Sequence, residues 1–128
     1  MPQYSIHVVA RLGLAFVFAY HGLVPKLLTH HGDEIAMLRD VGLSAERANT
    51  ALTAFGIGEL VFACCLLLFW RRRWPLYVCI SAMCVGIIGV MMSSPRFITA
   101  AFNPVSLNAA VACLAAIDLL VLRFKKPE

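Results

Sequence analysis

Arg11 stands in the middle of a long apolar run, residues 4–28, among valine, alanine, leucine and phenylalanine. An arginine at membrane depth costs roughly 2.5–3.5 kcal/mol on insertion scales, so it must face protein or water rather than lipid. Two acids sit inside other apolar runs, Glu59 in the second and Asp118 at the end of the fourth. On a rise of 1.5 Å per residue, Arg11 lies about 10 Å, Asp118 about 6 Å and Glu59 about 16 Å from one membrane edge. A guanidinium on its long stem reaches either carboxylate, and two readings follow. In the first, an ion pair or triad lets the polar atoms hide together. In the second, one arginine cannot neutralise two buried acids, so one carboxyl is expected to keep its proton and to serve as donor to a ligand.

Other residues could join that centre. His7, Arg11, Leu14, Phe18 and His21 recur at spacings of three and four, which puts them on one helical stripe. Asn108, Ala112, Ala115 and Asp118 share a face of the fourth run, and Asn108 is expected to hydrogen-bond across the bundle, a contribution near 1 kcal/mol. His30, His31, Asp33 and Glu34 are metal-capable types, but no helical spacing fixes them, so they are weak candidates and no metal is assigned. The five cysteines, Cys64, Cys65, Cys79, Cys84 and Cys113, all fall in apolar runs. They read as small packing residues rather than a disulfide framework, with Cys64 and Cys65 the pair on which thiol redox chemistry would rest. No phosphate loop, nucleophile elbow or paired CxxC is present, which leaves soluble-enzyme chemistry without support.

The elements that must position these residues are four transmembrane helices. The chain has 128 residues, 61% apolar and 14% charged, and it is read as a single domain, 1–128. Such a chain cannot cover itself with polar surface, and runs of about 20 residues match the hydrocarbon thickness. The predicted spans are 4–24, 48–70, 75–94 and 104–122, arranged up-down-up-down as an all-α bundle. Between the first two, residues 33–42 read as a short amphipathic helix. Asp33 and Glu34 suit its first turn and Gly42 its stop, with Ser44 capping the helix that follows. Asn103 and Pro104 read as cap and first residue of the last helix.

Cys79, Ala82, Gly86, Gly89 and Ser93 form a ridge of small side chains, read as a surface for close helix packing. The net charge of +4 does not gather into a nucleic-acid face; its residues lie at the ends of apolar runs. Arg71, Arg72 and Arg73, bracketed by two tryptophans, together with Arg123, Lys125 and Lys126, place both termini in the cytoplasm by the positive-inside rule.

With these residues in view, the chain resembles the DoxX-like membrane proteins. The likeness rests on RLGLAFVFAYHGLVPKLL, DEIAMLRDVGL and GIGELVFACCLLL. It implies a compact four-helix bundle in the bacterial cytoplasmic membrane. Arg11, His21, Gly22, Pro25 and Lys26 fall where that pattern has its first-helix signature, and Glu59 matches its second-helix acid. Relatives are linked to quinone-coupled oxidation of sulfur compounds and to membrane complexes that counter oxidative stress. Three roles stay open on this reading. One is a redox-associated subunit binding a quinone or other apolar small molecule at the Arg11–Glu59–Asp118 centre. Another is a structural or assembly partner, as a homodimer or with a membrane or redox protein. The third is a transporter of a small solute or proton.

Overall fold

A computed structural model describes residues 2–124. Lys125 and Lys126, which enter the charge argument for orientation, lie outside the described residues. The chain forms α1 (Pro2–His21), a π-helical continuation (Gly22–Leu28), α2 (Gly32–Asp40), α3 (Ala45–Leu68), α4 (Trp74–Ser93), a 3-10 turn (Pro95–Thr99) and α5 (Pro104–Phe124). Four segments are long and apolar enough to span a membrane: Gln3–Leu28, Ala45–Leu68, Trp74–Ser93 and Pro104–Phe124.

The first of these is longer than the predicted span. Pro25 does not end the helix; it sits inside a widened turn. Proline has no N–H to offer and its ring crowds the carbonyl four residues back, and the wider i→i+5 register relieves both. The bond from Thr29 N–H to Val24 O, at 3.0 Å, carries that register to the end of the segment. Lys26 therefore belongs to the first span rather than to a loop. The other boundaries follow their signals. Ser44 Oγ accepts from Arg47 N–H at 3.4 Å and Asn103 Oδ1 from Ser106 N–H at 2.8 Å. Gly42 stops the α2 segment with a φ of +96°, open to glycine without strain. His31, not an acid, caps α2, its Nδ1 accepting from Asp33 N–H at 3.4 Å.

In space α1 is central. It packs on α3 and on α5, and α5 packs on α4, whereas α3 and α4, successive in the chain, barely approach each other along their length. Leu14, Phe18, Ala63, Leu66, Leu76, Cys79, Val111 and Ala115 form the buried core. It lies toward the end of the bundle that carries the α3–α4 turn. At the opposite end α2 crosses from α3 to α4 and roofs the space between them.

Candidate functional site

The bundle holds two polar centres, at opposite ends. The first is built on α1 and α5. Arg11 and Asp118 are fully buried, with Nε and Oδ2 2.8 Å apart, and His7 Nδ1 contacts the other carboxylate oxygen of Asp118. With its proton on Nδ1, His7 donates to that oxygen. Arg11 Nη2 donates to Arg72 O at 3.2 Å, and the edge of Trp70 meets the His7 ring at 5.1 Å between centroids. Arg73 Nη2 adds a bond to Leu122 O at 2.7 Å. One guanidinium thus ties the first helix to the last and to the turn between α3 and α4. Both oxygens of Asp118 lie beside a nitrogen of His7 or Arg11, but Oδ2 and Arg11 Nε are paired by charge and distance without hydrogen-bond alignment.

The second centre is built on the far end of the first span and on α3. Gly22 and Gly56 bring the two backbones into contact: a Cβ on Gly22 would meet Gly56 O at 2.6 Å, and one on Gly56 would meet Gly22 O at 2.9 Å. One turn beyond each glycine stand Lys26 and Glu59, and that close approach sets their side chains 3.1 Å apart, Nζ to Oε1. Glu34 of α2 reaches the same ammonium at 3.4 Å. Lys26 is buried, so its charge is neutralised inside the protein by two carboxylates.

The single Arg11–Glu59–Asp118 centre expected from the sequence is therefore corrected. Arg11 pairs with Asp118, and Glu59 pairs with Lys26, about 22 Å farther along the first span by helical rise. The charge count changes with it: Arg11 matches Asp118, while Lys26 faces both Glu59 and Glu34, so the second centre holds one carboxyl more than its lysine. His7, one turn before Arg11 on the same inward stripe, joins the first centre through Asp118.

Beside the second centre lies a cavity of about 620 Å³. Lys26, Glu59, Glu34, His21 and Asn108 line its polar side; Phe18, Met37, Phe55, Met83 and Val111 contribute to its apolar side. Arg11 and Asp118 do not touch it. Asn108 reaches the cavity across α4, where its Nδ2 sits 2.7 Å from the position a Gly86 Cβ would take. The small-residue ridge of α4 is likewise only partly a packing surface. Cys79 is in the core and Gly86 accommodates Asn108, but Ala82, Gly89 and Ser93 line the cavity, and a Cβ on Gly89 would meet nothing within 4 Å. The ridge makes room for contents.

His30 and His31 are employed otherwise than as a metal site: His30 Nε2 lies 3.3 Å from Thr53 Oγ1, and His31 caps α2, 4.0 Å from Asp33. Among the described residues no group of three His, Cys, Asp or Glu side chains is placed to hold a metal. All five cysteines are free thiols; Cys64, Cys84 and Cys113 face outward and Cys79 is buried.

Residues 15–116 match the model of the DoxX-like family. The chain belongs to that family. The matched stretch of this DoxX-like protein contains His21, Gly22, Pro25, Lys26, Glu59 and Asn108, the residues of the second centre and its cavity. It begins after Arg11 and ends before Asp118, so His7, Arg11 and Asp118 lie outside the matched stretch. Searches of curated proteins and of solved structures found no match.

Proposed function

We propose that this DoxX-like integral membrane protein holds a quinone or other apolar small molecule in the α2-roofed cavity, its polar end toward Lys26, Glu59, His21 and Asn108. The observation that carries this reading is the cavity itself. Pockets of about 300–1,000 Å³, mostly apolar with a few convergent polar groups, are the usual form of small-molecule sites. The thin contact between α3 and α4 gives it a lateral opening toward lipid, the route an apolar molecule would use. A redox-associated role in the bacterial cytoplasmic membrane, with both termini on the cytoplasmic side, accords with this reading. On this proposal the protein binds and presents its ligand, and any electron transfer belongs to a membrane or redox partner.

The test is to fill the space. Gly89 lines the cavity and a Cβ there meets no neighbour within 4 Å, so Gly89→Leu is expected to fold normally and to take up part of that space. Saturable binding of a short-chain quinone to the purified wild type, reduced at least about tenfold by Gly89→Leu, supports the site; each factor of ten is about 1.4 kcal/mol. Binding that Gly89→Leu leaves untouched, or no saturable binding at all, removes it.

A second reading, a non-catalytic assembly partner, draws on the first centre. His7, Arg11 and Asp118 are buried, do not line the cavity of the second centre, and tie three segments together, which is what a scaffold requires. A homodimer or a complex with another membrane protein would be consistent with it. A cross-linking experiment in native membranes checks this, a recurrent adduct supporting it and monomer alone counting against it.

A further inference from the structure

The polar side of the cavity is unbalanced, and the imbalance specifies the ligand's head. Lys26 offers one ammonium, already directed at Glu34 Oε1 and Glu59 Oε1. The two carboxylates together carry one formal negative charge more than the lysine supplies. Glu59 Oε2 is left without a hydrogen-bond partner among the described residues. Burying a carboxylate oxygen in that condition is costly, more so at membrane depth, where no bulk water is at hand to solvate it. Its side chain is 26% exposed and lines the cavity. The terminal torsion of a glutamate is broad, so a small rotation turns the unsatisfied oxygen toward whatever occupies that space.

The remaining polar groups do not fill the vacancy. Ser94 Oγ donates away from the cavity, to Asp40 Oδ2 at 2.7 Å, and the Asn108 amide is fitted against Gly86. His21 also lines the cavity, and neither it nor Lys26 nor Asn108 hydrogen-bonds Glu59 Oε2.

We propose that Glu59 recognises a membrane-soluble molecule through a hydrogen-bond-donating head, an O–H or N–H group, which supplies the missing partner to its second oxygen. This rests on the cavity being a binding site and narrows what it takes. A head offering only carbonyl or ether oxygens, an oxidised quinone included, would leave Glu59 Oε2 unpaired, so of a quinone and its quinol the quinol, with its O–H groups, is expected to bind more tightly. A hydroxyl, a phenol and an ammonium share the required chemistry, and the last would also answer the surplus negative charge.

The experiment uses the full chain in phosphatidylcholine nanodiscs, with tritiated 4-octylphenol as probe and Gly89→Leu as the filled-cavity control. Competitors are matched pairs that differ at the head: 4-octylphenol against 4-octylanisole, and decylamine against decyltrimethylammonium. Each second member lacks the donor, and the last keeps the charge. The expected result is that both donor-bearing members compete about tenfold better than their methylated partners, as for a hydrogen bond to a charged group. Glu59→Gln is expected to shrink that preference to about twofold or less while the apolar contribution persists. Equal competition within both pairs, with binding still abolished by Gly89→Leu, overturns the donor requirement and leaves the cavity reading standing. Probe binding indifferent to Gly89→Leu overturns both. Should both cationic members compete about tenfold better than both phenol-derived members, with no preference within either pair, charge alone is recognised and the proposal is wrong.

Discussion

At the scale of single residues, the two buried cations do different work. Arg11 has no cavity to serve and closes a set of contacts among α1, α5 and the α3–α4 turn. Arg11→Ala would leave Asp118 and His7 facing each other with the cation gone. Removing one partner of a buried pair is expected to cost about 3–5 kcal/mol, read as a large fall in the unfolding midpoint in detergent and in the yield of folded protein. Lys26→Met should lower stability less, because Glu34 is partly exposed and swings to water, while ligand binding is weakened. Equal stability losses from the two substitutions would contradict this division. Arg11 was legible as a residue that must turn inward, with both Asp118 and Glu59 on offer as its partner. The sequence did not decide between them. Lys26 sits just past a proline, and a proline reads as the end of a span; only the π-helical turn keeps that lysine within the helix and beside Glu59.

The elements show why that turn matters. The approach of the first span to α3 is set by two glycines, and the position of Lys26 against Glu59 follows from it one turn later. Gly22→Ala is expected to destabilise by about 1–3 kcal/mol, the usual range for overpacking, because the added carbon meets backbone rather than a flexible side chain. Gly58→Ala, on the same α3 helix with nothing within 4 Å, should be neutral or slightly stabilising. Thermal unfolding of the two variants side by side checks the contrast. Helix number, the short α2 segment and the caps at Ser44 and Asn103 were legible in the sequence, since hydropathy and cap chemistry are local signals. The purpose of the α4 ridge was not. Small residues at three- and four-residue spacing look the same whether they admit a neighbouring helix or leave a hollow, and only the placement of α3 separates the two.

For the molecule as a whole, the arrangement leaves one side open. Core packing is concentrated at the end bearing the α3–α4 turn, and the other end is roofed by α2, which Asp40 fastens to Ser94 and to Arg96 at 2.7 and 2.8 Å. The cluster Arg71, Arg72 and Arg73 lies at the first of these ends. A reporter enzyme active only in the cytoplasm, fused after residue 128, is expected to be active, and one inserted between residues 30 and 32 silent. The reverse pattern would turn the bundle over and place the cavity on the cytoplasmic side.

If the proposed ligand enters between α3 and α4, which scarcely touch, its occupancy has to be counted differently. A guest that arrives sideways from the hydrocarbon equilibrates with its mole fraction among lipids, not with its molarity in buffer. Micelles would dilute such a guest and strip it away, so a preparation washed in detergent is expected to emerge empty. Protein excised together with its surrounding lipid patch should retain it, and solvent extraction of those patches is where the native occupant ought to be sought.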